Sequence, residues 1–379
     1  MKPKNILALG VIIWIIGTSC KKEVSPNAIQ GNLSSSVNKV PASEGSPDFI
    51  VKNGASIQAT IDAATPGSLI YIEPGIYNEA ITVDKPGIKL LGLNDGHSQG
   101  VIIQNPGDKE NGITARDAGD GFLLKNVTVK NFEENGVLLI RVDGFVLSHV
   151  EAIDNGEYGL FPVRSSDGLI EHCTAMGHTD AGIYVGLSSD VIVENNKAFE
   201  NVTGFEIRNS SNLIVRKNHS YDNVAGIIVM VLPGLPVKTS SNIIVVANHV
   251  TNNNHINFAE PGGFNFFIPT GSGILLVGTD NTLVEDNKVK DNNSVGIATV
   301  SSLLLGALAG LPPEAFADIE PNPDGVKVID NNLSNNGNAP PPGIGLPGAD
   351  LFWDGSGTNN CWSNNKFASS FPTVLPSCN

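Results

Sequence analysis

The chain has 379 residues, and its 38 acidic side chains outnumber 23 lysines and arginines, giving a formal charge of −15 at pH 7. Such a field repels nucleic acid and anionic membrane surfaces, so neither is an expected partner of the folded body. With 41 glycines, 6% aromatic residues and recurrent clusters of Val, Ile and Asn, the composition favours short strands and turns.

In chain order, residues 1–19 come first, with Lys2 and Lys4, an apolar run from Ile6 to Ile16, and Gly17-Thr18-Ser19 before Cys20. The run is too short and wrongly flanked for a stable membrane span and follows the order of a secretory signal. With cysteine at the cleavage point it resembles a bacterial lipoprotein signal. That resemblance implies lipidation of Cys20 and a protein anchored to a membrane of the cell envelope, the outer one by expectation. An ordinary cleaved signal with a chance cysteine is the alternative. Residues 20–46, rich in Ser, Asn, Pro and Lys, read as a flexible tether. Residues 47–379 read as one folded body.

That body opens with a short helix. Ser56 is placed to cap it, Ile57 and Ile61 form a stripe at helical spacing, and Pro66-Gly67 ends it. A glycine then recurs every 22 to 24 residues, at Gly112, Gly136, Gly159, Gly182, Gly204 and Gly226, and again at Gly273 and Gly296. Each opens a short apolar strand. A fixed period of this length signals a solenoid.

Aligned on the glycine, each coil shows a second strand ending in one column: Val127, Val150, Cys173, Asn196, Asn218, Asn248, Asn287, Asn332 and Asn365. Amides stacked about 4.8 Å apart hydrogen-bond along the stack, and Asn tolerates the left-handed backbone of a sharp corner. A second polar column holds Asn155, His178, Asn201, Asn223, Asn253 and Asn292. These features predict an all-β fold, a right-handed parallel β-helix of single-strand solenoid type behind an N-terminal capping helix. Residues 47–379 resemble the pectin-lyase-like superfamily and bacterial parallel β-helix repeat proteins.

Four insertions break the period, at Val231–Lys238, Asn254–Thr270, Ser301–Asp324 and between Asn335 and Asp350, with a short helix expected over 313–319. All fall just before or after the glycine strand, so they are expected to wall a groove on that sheet. In Gly204-Phe205-Glu206-Ile207-Arg208 the apolar pair points inward and Glu206 and Arg208 outward. The same parity puts Leu138, Phe161, Tyr184, Glu206 and Ile228 in one outward column, with Ile140, Val163, Gly186, Arg208 and Met230 beside it.

Arginine forks bind carboxylates and aromatic faces stack on sugar rings. Lyase chemistry needs a base such as Tyr and a cation for the developing negative charge. Tyr184, Arg208 and Arg164 are therefore the catalytic candidates; Phe161, Glu206, Tyr158, His178, Asp180 and Arg141 are the binding candidates. Each has a plainer alternative: Glu206 and Arg208 pair with each other, and His178 is a ladder member. Asp154, Glu157 and Asp180 would hold Ca²⁺ if they converged, and no histidine spacing suits zinc. Cys361 and Cys378, 17 residues apart, are expected to close the tail as a disulfide in an exported protein, and Cys173 to be inert core.

The segment Tyr158-Gly159-Leu160-Phe161-Pro162-Val163-Arg164-Ser165 resembles the repeat that carries Asp-Pro-His-Asp in alginate C5-epimerases. Phe161, Val163 and Arg164 replace the two acids and the histidine, so the resemblance does not carry that site over. The functional expectation is an exported, lipid-anchored β-helix that binds a polysaccharide in the groove; if it is also an enzyme, it is expected to be of polysaccharide lyase or glycoside hydrolase type. The alternative is a non-catalytic surface scaffold or partner-binding solenoid whose groove is filled by its own loops.

Overall fold

The computed structural model describes residues 45–94, 100–342 and 345–378. The signal, Cys20 and the tether up to residue 44 lie outside them.

The glycine strands form one eleven-stranded parallel sheet. In chain order its strands include Asn111–Arg116, Asn135–Ile140, Tyr158–Val163, Ala181–Gly186, Thr203–Arg208, Ala225–Met230, Ser272–Val277, Val295–Val300 and Ala349–Trp353. The rest of each coil belongs to a larger parallel sheet that bends at a corner. A middle coil therefore has three strands, as in Thr203–Arg208, Ser211–Arg216 and His219–Tyr221, where the sequence shows two. Inward side chains from all faces meet in one apolar core running from Val51 to Trp362. Helix Ile57–Ala63 closes its N-terminal end, with Ile57 and Ile61 buried and the Ser56 side chain accepting from the Ala59 amide at 3.0 Å.

The period has a steric cause. A Cβ on Gly159 would lie 2.5 Å from the Gly182 carbonyl oxygen, and on Gly226 it would lie 2.7 Å from that of Gly273. The coils stack too closely there for any side chain, so each coil needs glycine at the same place.

Two amide ladders run along the corners. Asn196 donates its Nδ2 to Asn218 Oδ1 at 3.1 Å, and the relay continues through Asn248, Asn287, Asn331 and Asn365 with steps of 2.9 to 3.1 Å. The ladder residue is Asn331, one position before the expected Asn332, which is exposed. The left-handed backbone also belongs to the residue before each ladder Asn: Asn195, Lys217, Asp286 and Asp330 all have φ between 55° and 57°, except Asp286 at 54°. The ladder Asn is selected by its amide, and the corner is turned by its predecessor.

The insertions do more than wall a groove. Ile228, Met230, Leu275, Ala298, Val300 and Phe352, on the outer face of the glycine sheet, pack with Leu232, Ile268 and Leu305 from the loops in a second apolar core. An α-helix, Ser302–Leu308, occupies the third insertion, capped by Ser301; the expected helix over 313–319 is a single 3₁₀ turn, Pro313–Phe316. Cys361 and Cys378 are joined as a disulfide. The Cys173 thiol is buried, which pushes its pKa up to about 12 and keeps it protonated.

Candidate functional site

Strand register fixes the outer columns as parity requires. Phe161 stands beside Leu138, Tyr184 beside Glu206, and Glu206 beside Ile228. Arg208 lies between Gly186 and Met230.

Three rings gather on two adjacent strands. Tyr158 and Phe161 stack at 4.2 Å between centroids, and Tyr184 meets them edge-on at 5.1 and 4.8 Å. Gly186 makes room for this cluster, since a Cβ there would lie 2.2 Å from the Tyr184 ring. Phe161 is only half-buried, while Tyr158 and Tyr184 show little more than an edge.

Next to the rings is a polar cluster. The Tyr158 hydroxyl donates to Asp180 Oδ2 at 2.6 Å. Asn265, in the 3₁₀ turn Phe264–Phe267, donates its Nδ2 to Glu206 Oε2 at 2.8 Å and also to Asp180 Oδ1. Glu206 is ion-paired with Arg208, whose guanidinium carbon lies 5.3 Å from the centre of the Tyr184 ring. Burial pushes the Asp180 carboxyl up to about 7, with repulsion from Glu206 adding to it. Burial likewise drives the Tyr158 and Tyr184 phenols far above their ordinary range, with negative neighbours adding to the effect. Burial is the largest influence on Arg208 and opposes its charge, but Glu206, Tyr184, Tyr158 and Asp180 together outweigh it and hold the guanidinium protonated.

Several sequence expectations change here. Glu206 is fully buried under Asn265 and cannot line an open groove; the plainer reading, an Arg208 partner, holds. His178 is also fully buried, in the second ladder, so it is not a ligand contact. Its Nδ1 lies 2.7 Å from Asn201 Oδ1 and its Nε2 3.3 Å from Asn155 Nδ2. Burial keeps Tyr184 a neutral phenol near neutral pH, which weighs against the role of base. Arg208 is spent on Glu206. Arg141 is exposed at a corner and paired in two-toothed fashion with Asp117, through Nη2–Oδ2 at 2.9 Å. Arg164, exposed one coil further on, has no ion-pair partner among the described residues. Asp154, Glu157 and Asp180 do not converge. Among the described residues the one convergent acidic trio is Asp280, Glu320 and Asp324, far along the chain from the rings.

Asn265 is the residue that the sequence does not reveal. It comes from an insertion with no periodic position, and the only cue is its place within Phe264-Asn265-Phe266-Phe267.

A parallel stack of coils around one core, with amide ladders and an insertion-bearing outer face, defines the class: this is a right-handed parallel β-helix. Residues 111–233 match the family model described as the right handed beta helix region. Among solved structures, the chain is similar to the A-module of mannuronan C-5 epimerase AlgE4 from Azotobacter vinelandii. The TM-score is 0.60 at 18% identity, covering 86% of this chain and 96% of that one. It is also similar to DFA-IIIase from Arthrobacter chlorophenolicus A6, with a TM-score of 0.52 at 14% identity over 80% and 87% of the two chains. Dettilon tailspike protein gives a TM-score of 0.52 at 12% identity, covering 79% of this chain and 56% of that one. At these identities the likeness is one of fold.

Proposed function

We propose that this chain is an exported, lipid-anchored β-helix that binds a polysaccharide across the outward aromatic stretch between Asn135–Ile140 and Thr203–Arg208. The observation that carries the reading is the Tyr158, Phe161 and Tyr184 ring cluster, with Phe161 half-exposed and the exposed Arg164 at the edge of the same strand. Rings stack on the apolar faces of sugars, and a free guanidinium serves a carboxylate or hydroxyl on the same chain. The fold likeness to an epimerase named for mannuronan is in keeping with a glycan ligand.

The geometry favours binding over cleavage. Both phenols stay protonated, and Glu206 and Arg208 neutralise each other under the 264–267 turn. Burial pushes the Asp180 carboxyl up to about 7, the range useful to a general acid or base, so any turnover is expected to depend on it.

A second reading has its own support. Asn265 sits across Glu206, and the loops build a core over the C-terminal half of the sheet, as a permanently filled scaffold would. The two are separated by calorimetry of the soluble chain against uronate-containing and neutral glycans, with absorbance followed for unsaturated products. Binding that Phe161→Ala and Arg164→Ala each weaken about tenfold supports the glycan reading. Silence on every glycan leaves the scaffold.

A further inference from the structure

The outward column that holds Leu138 and Phe161 runs on through Ile228, Leu275, Ala298 and Phe352. Ala298 is its smallest member beyond the glycan face, and a cavity lies where the column narrows. Ile228, Met230, Leu275, Ala298 and Phe352 form its floor, with helix Ser302–Leu308 on one side and Ile268 and Leu346 on others. The cavity has a volume of about 70 Å³. One water needs roughly 10–15 Å³ of such space and two to four polar partners.

Those partners are missing. Apart from Ser272 and Ser294 the lining side chains are apolar, and the Ser272 hydroxyl already donates to the Pro269 carbonyl at 2.7 Å. Water in a space that offers so few hydrogen bonds is held poorly, and an apolar group that displaces such water gains affinity. Its mouth is set by Leu304, Leu308 and Leu346, all half-buried, so a polar group at the end of a guest can remain in water.

We propose that this cavity is a binding site for a short alkyl chain whose polar end stays at the mouth beside Leu308 and Leu346. The site is separate from the aromatic glycan face and stands or falls independently of it.

The test uses the full processed chain with 1-hexanol, octyl glucoside below its micelle concentration, and glucose, followed by calorimetry and thermal unfolding. Saturable one-to-one binding of 1-hexanol with a Kd near or below about 1 mM is expected, which is ordinary for a ligand of this size. Octyl glucoside binding while glucose does not would assign the alkyl tail; glucose binding equally well would overturn the assignment. Ala298→Phe fills the cavity from the floor and should weaken hexanol at least tenfold while holding or raising the thermal midpoint. Leu308→Trp closes the mouth from a half-exposed position and should weaken it similarly without disturbing the sheet. Absence of saturable binding up to the solubility of hexanol, or equal binding by both variants, overturns the proposal.

Discussion

His178 makes the stability of this solenoid depend on pH in a calculable way. Its neighbours fix its tautomer. Asn201 uses its Nδ2 to donate to backbone carbonyls and to Asn223, so its Oδ1 faces His178 Nδ1 and requires a proton there. Asn155 accepts from the Phe132 amide through Oδ1, so its Nδ2 faces His178 Nε2 and requires a lone pair there. The neutral imidazole thus stands in for an amide, and protonation would set donor against donor in a site with no solvent. Burial lowers the His178 pKa from 6.5 to about 4, partly opposed by the hydrogen bond to Asn201.

A folded pKa below the unfolded one means that the unfolded chain takes up the proton more readily. The native state therefore keeps its full advantage above pH 6.5 and loses it as pH falls toward 4. A gap of about 2.5 units corresponds to about 3 kcal/mol. His178→Asn, which supplies the amide used elsewhere in the ladder, should abolish this loss. The assay is urea unfolding of both proteins from pH 8 to pH 4, read as the difference between them. Asp180 works in the opposite sense, since its raised folded pKa adds stability as pH drops below about 7, but it is common to both proteins and cancels. A difference that stays flat across this range, or a His178 ring that titrates near 6.5 by NMR, would refute the reasoning.

Two further predictions concern the stack. Asn287→Ala leaves the Asn248 backbone amide without its acceptor, takes one of the two acceptors of the Asn248 side chain, and removes the side-chain donor to the Val245 carbonyl, so a loss of about 3–5 kcal/mol is expected by chemical denaturation. Asn332→Ala, one residue from the ladder and exposed, should change stability by less than about 0.5 kcal/mol, and equal effects would return the ladder to Asn332. Gly226→Ala drives a Cβ to 2.4 Å from Val250 Cγ1 and 2.7 Å from the Gly273 carbonyl oxygen. It should destabilise by about 2–3 kcal/mol; a neutral result in thermal and urea unfolding would mean that the glycine period has some other cause.

Periodicity made most of the fold legible. The glycine column, the alternation of Phe205 and Ile207 with Glu206 and Arg208, and the two polar columns each repeat once per coil. A repeat turns sequence spacing into spatial register without any knowledge of long-range packing. That is why the outer columns from Leu138 to Met230 follow from the chain alone. The same method slipped by one at Asn332, because Val-Ile-Asp-Asn-Asn offers two amides and only the corner geometry chooses between them.

Insertions carry no period, and there the sequence falls silent. Where the 254–270 segment lies decides that Asn265 seals Glu206 and that Asp180 is buried enough for its carboxyl to hold a proton near neutrality. These are consequences of desolvation, which depends on what packs above a side chain and not on its place in a strand. Sequence thus determined the solenoid and the direction in which each side chain points; tertiary structure alone decided which of those side chains water and ligand can reach.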